Sequence, residues 1–255
     1  MKFLFLLSVI VPTLSFAQVK DVHIQNFSLT YQDPSGKGHA SHFDYSLPGK
    51  KALKEEQSVE VTKVGQDFHL ILSGTETREM TVAGAPAFLT EAQTINLVNL
   101  NLNVDQKLGL SVTEGAFHSA KDDLELKNIA LNCNRAAAQA ELMDQALVGC
   151  VESMSLTTSQ FSSSVVEKSV GIKGLKLSVS QGDLSLSAEV KAQISGTARG
   201  KGKISYDPAT GVVAIKLNEV KFGILNVTGQ VFDALKKQES EKLKVQKPWI
   251  YYQVK

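Results

Sequence analysis

The chain has little of what chemistry is usually read from. Its two cysteines leave one pairing, Cys133 with Cys150, expected as a disulfide in an oxidising compartment. The competing reading is two separate buried thiols, because Cys133 sits on the apolar face of its strand. No GxSxG elbow is present, and the many serines suit the wet faces of strands. No set of residues supplies nucleophile, base and stabiliser, so no catalytic residue is assigned and an enzyme is not expected. Charge of one sign is missing as well. The 27 Lys and Arg stand against 26 Asp and Glu, which gives no general attraction to nucleic acid and no sign of a basic domain face. No Pro- or Gly-rich linker cuts the chain, so residues 18–255 read as one β-rich domain, with 18–90 open to forming a lobe of its own.

The beginning of the chain is the exception to the lack of long apolar runs. Met1-Lys2 precedes an apolar run from Phe3 to Val11, then Pro12, then Ser15-Phe16-Ala17 before Gln18. One positive charge, a short apolar core and small residues at the cleavage-determining positions form a secretory signal peptide over residues 1–17. The run is shorter than the roughly 20 residues that cross a bilayer, and Pro12 breaks it. The mature chain is therefore expected to be exported, periplasmic or extracellular, with no transmembrane segment.

What is present is a repeated phrase of eight residues. It is clearest at Leu97 (LVNLNLNV) and recurs at Ile24 (IQNFSLTY), Leu126 (LKNIALNC), Val151 (VESMSLTT), Ile172 (IKGLKLSV) and Leu217 (LNEVKFGI). Positions four, six and eight are apolar in every copy except at Thr158, and positions three, five and seven hold no bulky apolar residue. Side chains alternate across a strand, so each phrase describes a strand with one dry and one wet face. The oily residues of all six are expected to point into one shared interior.

Between the phrases the turns are legible. Val59 to Leu72 reads as a hairpin about Gly65-Gln66-Asp67, and Leu97 to Val112 as another. Leu175 to Ile194 turns at Gln181-Gly182-Asp183, and Asp207-Pro208-Ala209-Thr210-Gly211 is a strong turn signal. Asp33 to Gly38 has the composition of a turn or mobile loop, and Thr197 to Lys203 (TARGKGK) is Gly-rich and basic. Period changes twice to that of a helix, near 136–146 (Ala136, Ala140, Met143) and near 230–242 (Val231, Phe232, Leu235). A disulfide around the first helix would set neighbouring strands antiparallel. Pro248 places the final strand at an edge or at the proline itself. The fold class is mainly β: an extended curved antiparallel sheet, or a sandwich, with those two helices.

Candidate sites are few. His39 and His42, with Asp44, His23 and His69 nearby, are the only histidines with metal-like spacing, and exposed loop histidines are the plainer reading; no metal and no cofactor is expected. The turn acids Asp122, Asp123, Asp183 and Asp207 are expected to bond their own backbone. Arg199, Lys201 and Lys203 are placed either against phosphate headgroups or as guards of an edge strand. Trp249, Tyr251 and Tyr252 are placed at a membrane interface, at a cavity mouth or in ordinary strand packing.

The phrases "IxNxxL" and "VKFGILNV" and the ending through "VQKPWI" resemble exported lipid-binding proteins of the AsmA-like and tubular lipid-binding (TULIP-like) groups, over roughly Leu97 to the C-terminus. That resemblance implies a curved antiparallel sheet whose helices close a groove holding acyl chains. The chain is accordingly expected to be an exported, non-enzymatic binding protein for a lipid or other apolar ligand, lined by Leu100, Leu102, Leu175, Leu177, Val220 and Phe222. The alternative is a structural or adhesive cell-envelope protein that pairs a strand edge such as Lys201 to Tyr206 with a partner protein.

Overall fold

The computed structural model describes residues 22–45, 56–82, 87–104, 107–120, 122–134, 148–165, 168–191, 195–237 and 239–253. The proposed signal peptide and the helix expected near 136–146 lie outside them. In chain order the elements are β1 (Val22–Gln32), β2 (Ser35–Ala40), β3 (His42–Tyr45), β4 (Gln57–Val64), β5 (Asp67–Ser73), β6 (Thr77–Val82), α1 (Ala87–Thr90), β7 (Ala92–Val104), β8 (Lys107–Ser119) and β9 (Asp122–Asn134). There follow β10 (Ser153–Val165), β11 (Lys168–Ser180), β12 (Asp183–Lys191), β13 (Ser195–Asp207), β14 (Val212–Phe222), β15 (Leu225–Asn226), α2 (Thr228–Lys236), β16 (Leu243–Gln246) and β17 (Trp249–Gln253).

All the strands belong to one antiparallel sheet. From β7 to β14 the chain is a plain meander in which each strand pairs with the next. β1 pairs with β7 on one side and with β2 and β3 on the other, and β2, β4, β5 and β6 continue outward from it. At the far end β17 pairs with both β14 and β16. The expected hairpins are all there. Gln181 and Gly182 form a two-residue turn with φ +51° and +79°, the pair of left-handed residues that a tight hairpin demands.

Cys133, next to last in β9, bonds to Cys150, Cα to Cα 4.6 Å, in a helical turn over residues 148–152. The bond joins the end of one phrase to the start of the next, and β9 and β10 run antiparallel with Met154 opposite Cys133.

The phrase carries a feature that the alternation alone does not reveal. Its third residue is Asn26, Asn99, Asn128 and Gly174 in four copies, and all four have positive φ, between 50° and 56°. Asn and Gly are the residues that tolerate this left-handed conformation best. Each one reverses which parity of residue faces inward; the pairing register slips there between β1 and β7 and between β11 and β12, and runs through unshifted at Asn99 against β8 and at Asn128. In β9 the inward residues are Leu124 and Leu126 before Asn128, then Ile129, Leu131 and Cys133 after it. These residues lie beside one another: Asn128 donates from Nδ2 to Ser159 Oγ at 3.0 Å, and Ser159 faces Gly174 across the next pairing. The amides that leave the ladder are satisfied locally. Asn26 N–H donates to Asn101 Oδ1 at 2.9 Å and Asn99 N–H to Ser28 Oγ at 3.2 Å. Thr158, the one polar residue at an apolar position, is buried beside the row and donates its hydroxyl to the Lys127 carbonyl at 2.7 Å. The left-handed residues thus form a row across neighbouring strands along which the inward-facing parity switches.

The inward side chains from β1 to β12 form one contiguous apolar cluster. Among the described residues the two labelled helices, of 4 and 9 residues, are too short to cover it, and the sheet curls over this face. Tyr31 and Phe68 illustrate the curl. β1 and β5 are three strand spacings apart, about 14 Å in a flat sheet, yet the two rings meet edge to face at 5.8 Å.

Two Gly-Lys-Gly segments, read above as loop-like, are strands. Gly36 and Gly38 lie in β2, where a Cβ on Gly36 would stand 2.7 Å from Tyr31 Cα and one on Gly38 2.5 Å from the Ser28 carbonyl oxygen. Gly200 and Gly202 lie in β13, where a Cβ on Gly202 would stand 2.2 Å from the Lys216 carbonyl oxygen. The helix expected over 230–242 ends at Lys236, because Glu239 and Ser240 are engaged elsewhere. Val245 N–H donates to Glu239 Oε1 at 2.8 Å and Leu243 N–H to Ser240 Oγ at 3.2 Å, which covers the outer edge of β16.

Candidate functional site

Along the meander the inner face changes character. In β8 Leu108, Leu110, Val112 and Phe117 are all buried, and in β11 Leu175, Leu177 and Val179 are. In β12 Ala188 is buried, while Leu184, Leu186 and Val190 are only half-buried. β14 continues the pattern, with Ile215 and Val220 buried and Val213, Leu217 and Phe222 half-buried. Between them β13 presents Gly196, Ala198, Gly200 and Gly202, a floor of small residues flanked by larger ones. Here the inner face is only half-buried beside small residues, and this half-open stretch next to α2 is termed the trough below.

α2 forms one wall. Its Phe232 and Leu235 are buried against Ile215, Val245 and Ile250, with Leu184, Ile204 and Leu217 packed around them. The helix is tied to β14 at its start: Val220 N–H donates to Thr228 Oγ1 at 2.7 Å, and Val227 N–H to the Val220 carbonyl at 2.8 Å. Toward the other end of the trough, Phe222 lies over Gly196, where a Cβ would come within 2.6 Å of its ring. The chain then turns at Gly223, φ +60°. Ile224 and Leu225 at this turn are 94% and 64% exposed. Ile224 is position eight of the sixth phrase, so the expectation that every phrase points all its apolar residues inward fails at that position.

The six residues expected to line a ligand site do not meet at one point. Leu102, Leu175 and Leu177 are packed within the central cluster, with Leu100 against it. Val220 and Phe222 belong to β14, three strands beyond β11, or about 14 Å along the sheet. Only these two border the trough.

Arg199, Lys201 and Lys203 are exposed on the opposite, outer face of β13. Two expectations about them need correction. β13 is paired with β12 on one side and β14 on the other, so Lys201 to Tyr206 is no edge and these cations guard none. They also stand in a basic face, with Lys176 on β11 and Lys216 and Lys221 on β14, which the balanced total charge concealed. The final strand begins at the proline as expected, but it is interior to the sheet.

The histidines do not assemble. His39 lies in β2, 3.7 Å from Glu56, and His42 opposite Gln25. Among the described residues no three His, Cys, Asp or Glu side chains are placed to hold a metal. Two of the turn acids pair with side chains of neighbouring strands and not, as expected, with their own backbone: Asp183 with Lys203 at 3.6 Å, and Asp123 with His118 at 3.0 Å and Ser164 at 3.1 Å. Asp207 accepts from the Thr210 hydroxyl at 2.8 Å and the Ala209 amide at 2.9 Å, and these bonds hold its carboxyl below the usual carboxylate range. A shallow hollow of about 430 Å³ lies elsewhere, over β1, β2 and β7, edged by Ser28, Lys37, His39 and Asn96. It is wide open to solvent and has no enclosing wall. No described helix is long and apolar enough to cross a membrane.

Comparison of the chain with protein-family models, curated proteins and solved structures finds no match.

Proposed function

We propose that this is an exported protein that binds a lipid or other apolar ligand in the trough between β12–β14 and α2. The observation that carries the reading is the half-buried apolar face of β12 and β14 on either side of a glycine floor, next to strands whose equivalent face is dry. An elongated hydrocarbon chain suits such a groove, because it removes apolar surface from water without needing a polar partner. Residues 1–17 and the Cys133–Cys150 bond support export.

Organic extraction of the purified protein followed by mass spectrometry should find a stoichiometric lipid, and the emptied protein should take up a fluorescent fatty acid. Ala198→Trp, which fills the floor, should abolish uptake without unfolding the protein. Absence of both bound lipid and uptake in the unaltered protein overturns the proposal.

A second reading rests on β6, whose outer edge has no strand neighbour among the described residues, in contrast to the covered edge of β16. A partner protein adding a strand there would act as an envelope adhesin does. Association that is lost when proline replaces Glu79 would favour it.

A further inference from the structure

The balanced total charge hides a separation along the chain. Residues 166–255 carry 15 Lys and Arg against 8 Asp and Glu, whereas residues 18–165 carry 11 against 18. The sheet concentrates the excess on one surface. Lys176, Ser187, Arg199 and Lys221 form a single cross-strand row on the outer face of β11–β14, with Arg199 directly opposite Lys221. Lys203 is likewise opposite Lys216. Like charges in such positions oppose folding, so the fold gains nothing from this arrangement. Lys221 is offset by Glu219 at 2.9 Å and Lys203 by Asp183 at 3.6 Å, and Lys201 and Lys173 stand opposite Glu219 and Glu189, but Lys176 and Arg199 face no acid across the ladder.

The row ends at the exposed tip. Lys221 is followed by Phe222, Gly223 and then Ile224 and Leu225, the latter two 94% and 64% exposed. On the same outer face Trp249 and Tyr251 stack at 6.1 Å, half-buried, with Lys216 Nζ 5.8 Å from the Trp249 ring. Cations beside an aliphatic tip suit one kind of partner. The geometry points to docking of this end of the sheet on an anionic lipid bilayer, with Ile224 and Leu225 inserted and Arg199, Lys176 and Lys221 on the headgroup phosphates. A nucleic acid or an acidic polysaccharide would engage the cations but leave Ile224 and Leu225 in water.

The docking face is the reverse of the trough, and the proposal stands without any ligand in it. The test is co-sedimentation of the purified protein with phosphatidylcholine vesicles that contain or lack phosphatidylglycerol, at low and high salt, beside a DNA-binding assay. Binding should require phosphatidylglycerol and weaken as salt rises. Arg199→Ser and Lys176→Ser should each weaken it about fivefold. The double variant Ile224→Ser, Leu225→Ser should weaken it by about tenfold or more. All four side chains are exposed, so each variant should keep the circular dichroism spectrum of the parent. No preference for phosphatidylglycerol overturns the proposal. So does unchanged vesicle binding in the tip variant, and so does DNA binding that is stronger than vesicle binding. Failure to find a lipid in the trough, with vesicle binding intact, counts against the ligand reading alone.

Discussion

The strands β8–β11 and β12–β14 follow the same rule of alternation and differ in what the inner face meets. In the first set Leu131 and Leu156 are 1% and 2% exposed, and the apolar face is closed. In the second the corresponding residues alternate with glycines and remain half open beside a short helix. One pattern of sequence therefore closes the apolar face in one region and leaves it half-open in the other. The variable that decides between them is side-chain volume on the neighbouring strand, which is lowest in β13.

The sharpest way to break this comparison is to make the same truncation in both regions. Leu131→Ala should cost about 3 to 4 kcal/mol, since it opens a cavity in a closed core. Leu186→Ala, half-buried at the trough, should cost about 1 kcal/mol. Urea unfolding of both variants measures the difference; equal losses would mean that the trough is as tightly packed as the centre. The disulfide is the next largest effect, also confined to the central strands. Replacing Cys133 and Cys150 by serine frees a loop of 17 residues' separation. The expected cost is about 3 kcal/mol by the loop-entropy argument, read as a lower midpoint in the same experiment.

How much of this was legible in the sequence depends on the residue. Leu100, Leu102 and Val104 announce a strand by plain alternation, and Gln181-Gly182 announces a turn. The row of left-handed residues left a trace as well. Positions one and four of the phrase, such as Leu126 and Ile129, are both apolar and three residues apart, a spacing that an unbroken strand cannot place on one face. Reading each phrase from its fourth position onward conceals that trace. Gly36-Lys37-Gly38 and Gly200-Lys201-Gly202 suggested loops because glycine is rare within strands. Their reason is spatial: Tyr31, the Ser28 carbonyl and the Lys216 carbonyl occupy the room a Cβ would need. The basic face was invisible for a related reason. It depends on which strands are neighbours, and total charge carries no such information.

The row itself offers a smaller and more specific test. Asn128 holds φ +50° and donates its side chain to Ser159. Asn128→Val should cost about 1 to 2 kcal/mol, the strain of a β-branched residue in the left-handed region. Asn128→Gly should cost less, because the conformation is free and only the side-chain hydrogen bond is lost. If valine is tolerated as well as glycine, the left-handed backbone at this position is not what the sequence pays for with asparagine.

The smallest effect concerns the junction where the branch carrying β4 and β5 meets β1 and β7. The Tyr31 hydroxyl donates to Asp33 Oδ1 at 2.7 Å, Lys63 Nζ lies 3.5 Å from the same oxygen, and Lys63 also donates to the Thr90 carbonyl. The hydrogen bond from Tyr31, with help from the Lys63 charge, holds the Asp33 carboxyl below its ordinary value, and burial together with Asp33 pushes the Tyr31 phenol up. A carboxyl with a depressed folded-state pKa contributes stability that is fully present above its unfolded value, near pH 4. That contribution is lost as the pH falls through the folded value. The stability difference between the parent and Asp33→Asn should therefore be constant from pH 7 to about pH 5 and shrink below about pH 4. Urea unfolding across that range measures it. A difference that stays constant into acid would show that Asp33 holds the junction by shape and hydrogen bonding alone, and that the closed centre of the sheet does not depend on its charge.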